Sequence, residues 1–233
     1  MVERGDELPR EWFEIPDPMA TRASLHERRQ PAPAGPSLTR RQVTVRRMVA
    51  LPAVIGWSLA VVAAIHPRSG LGPHLMPIAA QCAIWIGLSL LGVHAAAARR
   101  RHGLGSPAWV AEILALAAPV VFVALAFVWL PAADGGGSTA VGPLRALLAC
   151  FGVGLLVAVP ALCLAAWALR HAFVTAPAKR GAAVGAACGL LAAAVLTLHC
   201  GSSQSGHVAL AHGLPLVAAT LLGVWIVGMA GRP

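Results

Sequence analysis

A cysteine and three histidines lie close together near the end of the chain, in the stretch LTLHCGSSQSGHVALAHG at residues 196–213. Cys200, His207 and His212 follow the spacing C-x6-H-x4-H, and His199 directly precedes the cysteine. Thiolate and imidazole are ligands for zinc, copper and other thiophilic metal ions. The pattern is compatible with three interpretations: a metal site, a redox-active thiol, or a polar turn whose histidines cap the adjoining helices.

The elements that must position these side chains are long apolar segments. The chain has 233 residues, of which 58% are hydrophobic and 12% charged, and its mean hydropathy is +0.72. Six apolar runs are each long enough to cross about 30 Å of hydrocarbon as a helix. The runs are residues 48–65, 75–98, 107–130, 144–169, 182–198 and 208–229. Because backbone groups in lipid must pair within their own segment, the sequence predicts an all-α fold, a six-helix transmembrane bundle over residues 48–230. Residues 1–47 are expected to form a mostly disordered cytoplasmic tail.

The distribution of cationic residues predicts the orientation of the bundle, because segments rich in lysine and arginine stay in the cytoplasm. Sixteen of the 18 lysines and arginines lie on one side of the predicted topology. They are nine residues in 1–47, three in 99–101, three in 170–180, and Arg232. The other side has Arg68 and Arg145. Both termini are therefore expected in the cytoplasm, without a signal peptide, and the loop after Cys200 is expected to face outward. The net charge of +9 reflects this bias and does not indicate nucleic-acid binding, since the arginines of residues 28–47 can contact anionic lipid of the bilayer instead.

Five cysteines, an odd number without a CxxC motif, indicate neither a disulfide framework nor a zinc ribbon. They are Cys82, Cys150, Cys163, Cys188 and Cys200. If the fourth and fifth helices form an antiparallel hairpin, the turn near residue 175 is the midpoint of two cysteine pairs. Cys150 then matches Cys200 in depth near the outer face, and Cys163 matches Cys188 nearer the cytoplasm. At about 100° per residue, at most one of these pairs can face across the hairpin. An oxidising outer compartment favours Cys150 with Cys200.

The N-terminal tail contains a short segment that can dock on a partner. In LPREWFEIP, Leu8, Trp12 and Ile15 lie on one face of a short helix, and Phe13 lies beside that face. We call these four the docking residues. A segment this short does not fold alone, so large apolar side chains in an acidic tail indicate a motif that folds into the groove of a partner protein. The alternative is a tail that packs loosely on the membrane.

Two further features indicate helix packing. Glu112 is the only acidic residue inside an apolar run, and we expect it to form a structural ion pair with the arginines of residues 99–101. Gly181, Gly185 and Gly189 recur every four residues, and small residues at this spacing let two helices approach closely. We expect this stripe to tighten the contact of the fifth helix with the fourth or the sixth.

The sequence lacks the motifs of common enzyme classes. It contains no P-loop, no GxSxG, no HExxH and no acidic pair in the apolar runs, so the chain is not expected to be an enzyme. An alternative function is a membrane redox or metal-binding protein that holds haem or copper between outer histidines. Such a site would pair His66 or His74 with His199, His207 or His212.

The end of the fifth predicted helix carries a resemblance to a known family. The letters LHC, followed by a short loop and then by H…HG at the start of the sixth helix, resemble the NrsF-type membrane anti-sigma factors. The similarity spans roughly residues 46–230, and this family consists of small six-helix proteins with a short cytoplasmic N-terminal segment. The family's cysteine in the fourth helix matches Cys150, and its partner at the end of the fifth helix matches Cys200.

This resemblance implies a regulator in the bacterial inner membrane. The tail would hold an extracytoplasmic-function (ECF) sigma factor at the membrane and keep it from RNA polymerase. Oxidant or a thiophilic metal ion that reaches Cys150 and Cys200 would change the packing of the fourth and fifth helices and release the sigma factor. This interpretation requires no cofactor, allows a transient thiophilic metal ion and a homo-oligomer, and includes no direct contact with nucleic acid.

Overall fold

Six long helices account for nearly all of the part of the chain that the computed structural model describes, which is residues 40–66, 75–97, 107–128, 143–169, 176–200 and 204–230. The first five are α1 (Arg40–Ile65), α2 (Leu75–Ala97), α3 (Ala108–Val128), α4 (Pro143–Leu169) and α5 (Pro177–His199). The last, α6, starts as an α-helical turn at Ser205–His207, passes through a π-helical segment at Val208–His212 and continues as an α-helix over Gly213–Ala230. No strand occurs in the described residues, and the all-α prediction is confirmed.

Each of these helices is long and apolar enough to cross a membrane. Their outward faces carry large apolar side chains such as Leu59, Leu116 and Trp225, each of which is at least 60% exposed. Water would solvate such faces poorly, whereas hydrocarbon solvates them well. One boundary differs from the prediction, because α1 begins at Arg40 and not near residue 48. Arginine is a good helix former, so a helix can continue past the apolar residues that must lie in lipid.

The central helix of the bundle is α5, which packs against α2, α3, α4 and α6. Its sequence is rich in alanine and glycine, and residues on all sides of it are buried. Gly181, Gly185 and Gly189 face α6, and an added Cβ at Gly185 would collide with the carbonyl oxygen of Ala219. Only residues without a side chain let two backbones approach this closely. The glycine stripe therefore serves the contact between α5 and α6, one of the two contacts predicted for it.

A tryptophan on α1 compensates for a proline on α4. Pro160 has no N–H, so the carbonyl of Leu156, four residues earlier, cannot receive its helical hydrogen bond. The indole N–H of Trp57 donates to this carbonyl oxygen at 3.0 Å. Because an unpaired backbone carbonyl is costly in lipid, this hydrogen bond fixes α1 against α4.

At the end of the bundle where α5 begins, two cations connect α5 to its neighbours. Lys179 forms an ion pair with Glu112 on α3, with Nζ and Oε2 separated by 2.5 Å. The arginines expected as partners, at residues 99–101, lie outside the described residues. Arg180 is buried, and its guanidinium donates at 2.7 Å to the carbonyl oxygen of Ala96 in the last turn of α2. This cation satisfies one of the terminal carbonyls that a helix leaves unpaired.

Candidate thiol and imidazole site

Four side chains meet at the other end of α5, where the chain leaves that helix and enters α6. Their ligand atoms, one each from Cys150, Cys200, His207 and His212, all lie within 4.8 Å of one another. Cys150 is on α4, Cys200 is the first residue after α5, and both histidines are on α6. We call this group the thiol–imidazole cluster.

The two thiols of the cluster are in direct contact. Sγ of Cys150 lies 3.8 Å from Sγ of Cys200, which in turn lies 3.4 Å from Nε2 of His207. The structure thus brings together the cysteine pair that location favoured among the two pairs of matched depth, whereas Cys163 is exposed and Cys188 is buried in the core. Two thiols at this separation can be oxidised to a disulfide after a small shift, or can bind one metal ion together.

A glycine one turn below Cys150 lets α4 approach α6 at the cluster. Gly154 follows Cys150 by four residues and therefore lies on the same face of α4. A Cβ at this position would lie 2.5 Å from Cγ of Pro215 and 3.2 Å from Cδ1 of Leu196. Such a contact is too short for carbon atoms, so Gly154 sets how near Cys150 comes to the residues of α5 and α6.

The π-helical segment places the two histidines on one side of α6. In a regular α-helix, residues five apart point about 140° away from each other. A π-helix closes its turns with i→i+5 hydrogen bonds, which brings His207 and His212 to the same side with ring centroids 6.0 Å apart. Pro215 follows this segment and cannot donate a hydrogen bond to Ala211. One restraint that would hold a regular α-helix here is therefore missing.

His212 is the most deeply buried member of the cluster, with 2% of the residue exposed. Neither of its ring nitrogens has a hydrogen-bond partner among the described residues. The surroundings are apolar, because Cys150 and Cys200 pack together with Leu196 and Ala211. A buried polar group without a partner costs about 1–3 kcal/mol. A buried imidazole without a partner calls for an explanation, and its ring nitrogens are free to serve as ligands to a metal ion.

The other residues singled out in the sequence lie elsewhere. Nδ1 of His199 lies 3.0 Å from the carbonyl oxygen of His66, so this histidine connects the ends of α1 and α5 and is separate from the thiol–imidazole cluster. Outside the described residues lie His74 and the docking residues Leu8, Trp12, Phe13 and Ile15.

Comparison with protein families identifies the class of protein that carries this cluster. Residues 34–232 match the family model NrsF, described as "Negative regulator of sigma F". The chain belongs to the NrsF family. This description places it among negative regulators of a sigma factor and not in an enzyme family. The NrsF match includes the whole bundle and the thiol–imidazole cluster, but it starts beyond the docking residues. Comparison with curated proteins and with solved structures found no match.

Sequence reasoning named all members of the cluster but missed the features that unite them. A spacing of five between His207 and His212 does not fit one face of an α-helix, and Pro215 follows three residues later. Together these two signals indicate a disturbed helix and were visible in the sequence. The role of Gly154 was not visible, because it depends on the position of Pro215 across the interface.

Proposed function

We propose that this chain is a membrane anti-sigma factor that holds an ECF sigma factor through its N-terminal tail. It releases the sigma factor when Cys150 and Cys200 react with an oxidant or bind a thiophilic metal ion. The observation that carries this proposal is the contact between the two thiols in a chain of the NrsF family. Family membership supports the regulatory class and the sigma factor partner, and the thiol contact supplies a chemical switch.

The described cations support an orientation with both termini in the cytoplasm. Arg46, Lys179 and Arg180 lie near the end of the bundle opposite to the thiol–imidazole cluster, and Arg145 on α4 is the exception. Membrane proteins retain their cationic end in the cytoplasm. The cluster then faces outward, and outside a bacterial inner membrane the compartment is the oxidising periplasm.

The packing of α4 provides a route from the cluster to the tail. Cys150 is on α4, whereas Cys200 lies at the junction of α5 and α6, which the glycine stripe holds together. A new bond at the cluster therefore moves α4 relative to the other two helices. The main neighbour of α1 is α4, through the hydrogen bond of Trp57 and through Arg46, whose guanidinium lies 5.2 Å from the ring centroid of Trp167. Movement of α4 thus reaches the helix that follows the tail in sequence.

Co-purification with a sigma factor tests the docking part of the proposal. Full-length protein extracted under reducing conditions is expected to retain an ECF sigma factor, and deletion of residues 1–30 is expected to abolish retention. Alanine at all four docking residues should have the same effect, because it removes the apolar face that enters the partner's groove. A matched variant with Met19→Ala and Leu25→Ala changes other apolar residues of the tail and should retain the partner. Full-length protein without any bound sigma factor would contradict the proposal.

Release is tested on the same complex. Addition of an oxidant or of a zinc or cadmium salt should dissociate the sigma factor from the unmodified protein. The complexes of Cys150→Ser and Cys200→Ser should remain intact, because each variant removes one of the two thiols in contact. Cys163→Ser, on the same helix as Cys150, is the matched control and should respond like the unmodified protein. Release from the two serine variants would exclude this thiol pair as the switch.

A further inference from the structure

The thiol–imidazole cluster has the composition of a metal site and not only of a thiol pair. We propose that Cys150, Cys200, His207 and His212 together bind one divalent d10 ion, Zn²⁺ or Cd²⁺, as a four-ligand site. The regulatory meaning of this ion rests on the proposed function, whereas its binding does not.

Two distances within the cluster match the edges of a tetrahedral site. Zinc binds sulfur at about 2.3 Å and histidine nitrogen at about 2.0–2.1 Å, and such a tetrahedron has edges of about 3.8 Å between sulfurs and about 3.5 Å between sulfur and nitrogen. The observed separations are 3.8 Å between the two Sγ atoms and 3.4 Å from Cys200 Sγ to His207 Nε2. All four ligand atoms lie within 4.8 Å of one another. Closing the set around one ion requires the remaining separations to shorten by up to about 1 Å, so the cluster must tighten when it binds the ion.

His212 is the residue that distinguishes a metal site from a disulfide. Among the described residues, neither ring nitrogen of His212 has a hydrogen-bond partner. A disulfide between the two cysteines would leave both nitrogens in that state. A metal ion bound to one of these nitrogens would give it a partner. This would explain why a polar imidazole is buried at this position. The π-helical segment that directs His212 to the side of His207 is itself a feature that occurs frequently at functional sites.

The charge of the site favours a divalent ion. Binding breaks two S–H bonds, forms two metal–sulfur bonds and releases two protons to solvent, and no electrons are exchanged. Two thiolates and two neutral imidazoles then cancel the charge of a divalent ion. A neutral complex suits the apolar contact with Leu196 and Ala211, where a net charge would be costly. Monovalent copper would leave one negative charge, and four ligands without a carboxylate do not suit Mg²⁺ or Ca²⁺.

Cobalt binding and zinc competition on the purified full-length protein test this site. Under reducing conditions, one Co²⁺ per chain should bind with the thiolate charge-transfer band and the visible bands of a tetrahedral ion, and Zn²⁺ should displace it. His207→Ala and His212→Gln should each weaken Zn²⁺ binding by more than about 10-fold. Substitution of residues that only contact a metal ligand already lowers metal affinity by about this factor, so loss of a ligand should cost more. Cys163→Ser and His199→Ala are matched controls outside the cluster and should leave the affinity unchanged.

Three results would overturn the site. The first is unmodified protein that binds no Co²⁺ or binds it without the thiolate band. The second is His207→Ala with unchanged Zn²⁺ affinity, which would reduce the site to a thiol pair. The third is His199→Ala with a loss of Zn²⁺ affinity as large as that caused by His207→Ala. Circular dichroism and size-exclusion chromatography show whether the His212→Gln variant is folded. Because His207 is only half-buried, its replacement by alanine should leave the fold intact, and this variant is decisive by itself.

Failure of the metal site and failure of the proposed function are distinguishable. The variant that lacks residues 1–30 should bind Zn²⁺ as the full-length protein does, because all four ligands lie in the bundle. Zinc binding without retention of a sigma factor would remove the proposed function and keep the site. Retention of a sigma factor by a chain that binds no zinc would remove the metal site and keep the proposed function.

Discussion

Trp57 and Pro160 show how single residues determine which helices of this chain touch. The proline leaves the carbonyl of Leu156 without its helical donor, and the indole supplies a donor from α1. The hydroxyls of Ser58 and Thr220 are paired differently, each donating to a carbonyl oxygen of its own helix at 2.9 and 2.8 Å. Polar groups in lipid need partners within the protein. A partner on the same helix stabilises that helix alone. A partner on another helix stabilises the interface between the two.

Replacement of Trp57 by phenylalanine should weaken the contact between α1 and α4. We expect the free energy of unfolding in mild detergent to fall by about 1 kcal/mol, as for one hydrogen bond between membrane helices. Trp225→Phe, at an exposed tryptophan of α6, is the matched control and should change the stability little. Pro160→Ala gives Leu156 an N–H donor within α4, so Trp57→Phe should cost less in that background. Equal losses in both backgrounds would contradict the role assigned to the hydrogen bond.

Helix contacts in the bundle depend on positions without a side chain. The glycine stripe brings α5 against α6, and Gly154 brings α4 against Pro215. The first contact is made along one face of α5, whereas the second is made one turn from Cys150. The geometry of the thiol–imidazole cluster therefore depends on the approach of whole helices as well as on its own four residues.

Gly154→Ala should separate the two thiols of the cluster. The ring of Pro215 is rigid, so an added methyl group must move α4 away and lengthen the distance from Cys150 to Cys200. We expect the disulfide to form several-fold more slowly under a mild oxidant, as measured by the loss of maleimide-reactive thiols. Gly152→Ala is on the same helix, where an added Cβ would meet no atom of the described residues within 4 Å, and it should leave the rate unchanged. An unchanged rate in Gly154→Ala would show that this contact does not hold α4 in place.

The elements of this fold were predictable from the sequence because lipid requires long apolar helices, and the charge-poor runs are those helices. Their ends were less predictable. The fifth helix was expected from residue 182 and starts at Pro177, because polar residues continue a helix beyond the hydrocarbon and proline is favourable in its first turn. Counting residues about a turn matched Cys150 with Cys200 in depth, but it matched Cys163 with Cys188 equally well, and only the expected oxidising compartment favoured the first pair. The π-helical segment did not follow, because periodicity arguments assume a regular α-helix throughout.

Among the described residues, Arg46, Lys179 and Arg180 lie toward one end of the bundle, and the thiol–imidazole cluster lies at the other. An epitope inserted within residues 201–206 should be reached by a membrane-impermeant antibody in intact spheroplasts, because the positive-inside rule directs this end outward. A matched insertion within residues 171–176, at the other end of α5, should be reached only after the membrane is broken. An epitope at 201–206 that stays protected until lysis would reverse the orientation and remove the outward-facing sensor.

The order of the helices along the chain has a consequence for a newly made molecule. The main neighbours of α1 are α4 and α5, which the ribosome completes much later. The first helix thus waits in the bilayer without its partners while the middle of the chain is still being synthesised. A tail that captures its partner at this stage does so before either thiol has been translated. Under the proposed function, inhibition would therefore begin on an incomplete protein, whereas the thiol–imidazole cluster is complete only after the final helix, with its two imidazoles, has been inserted.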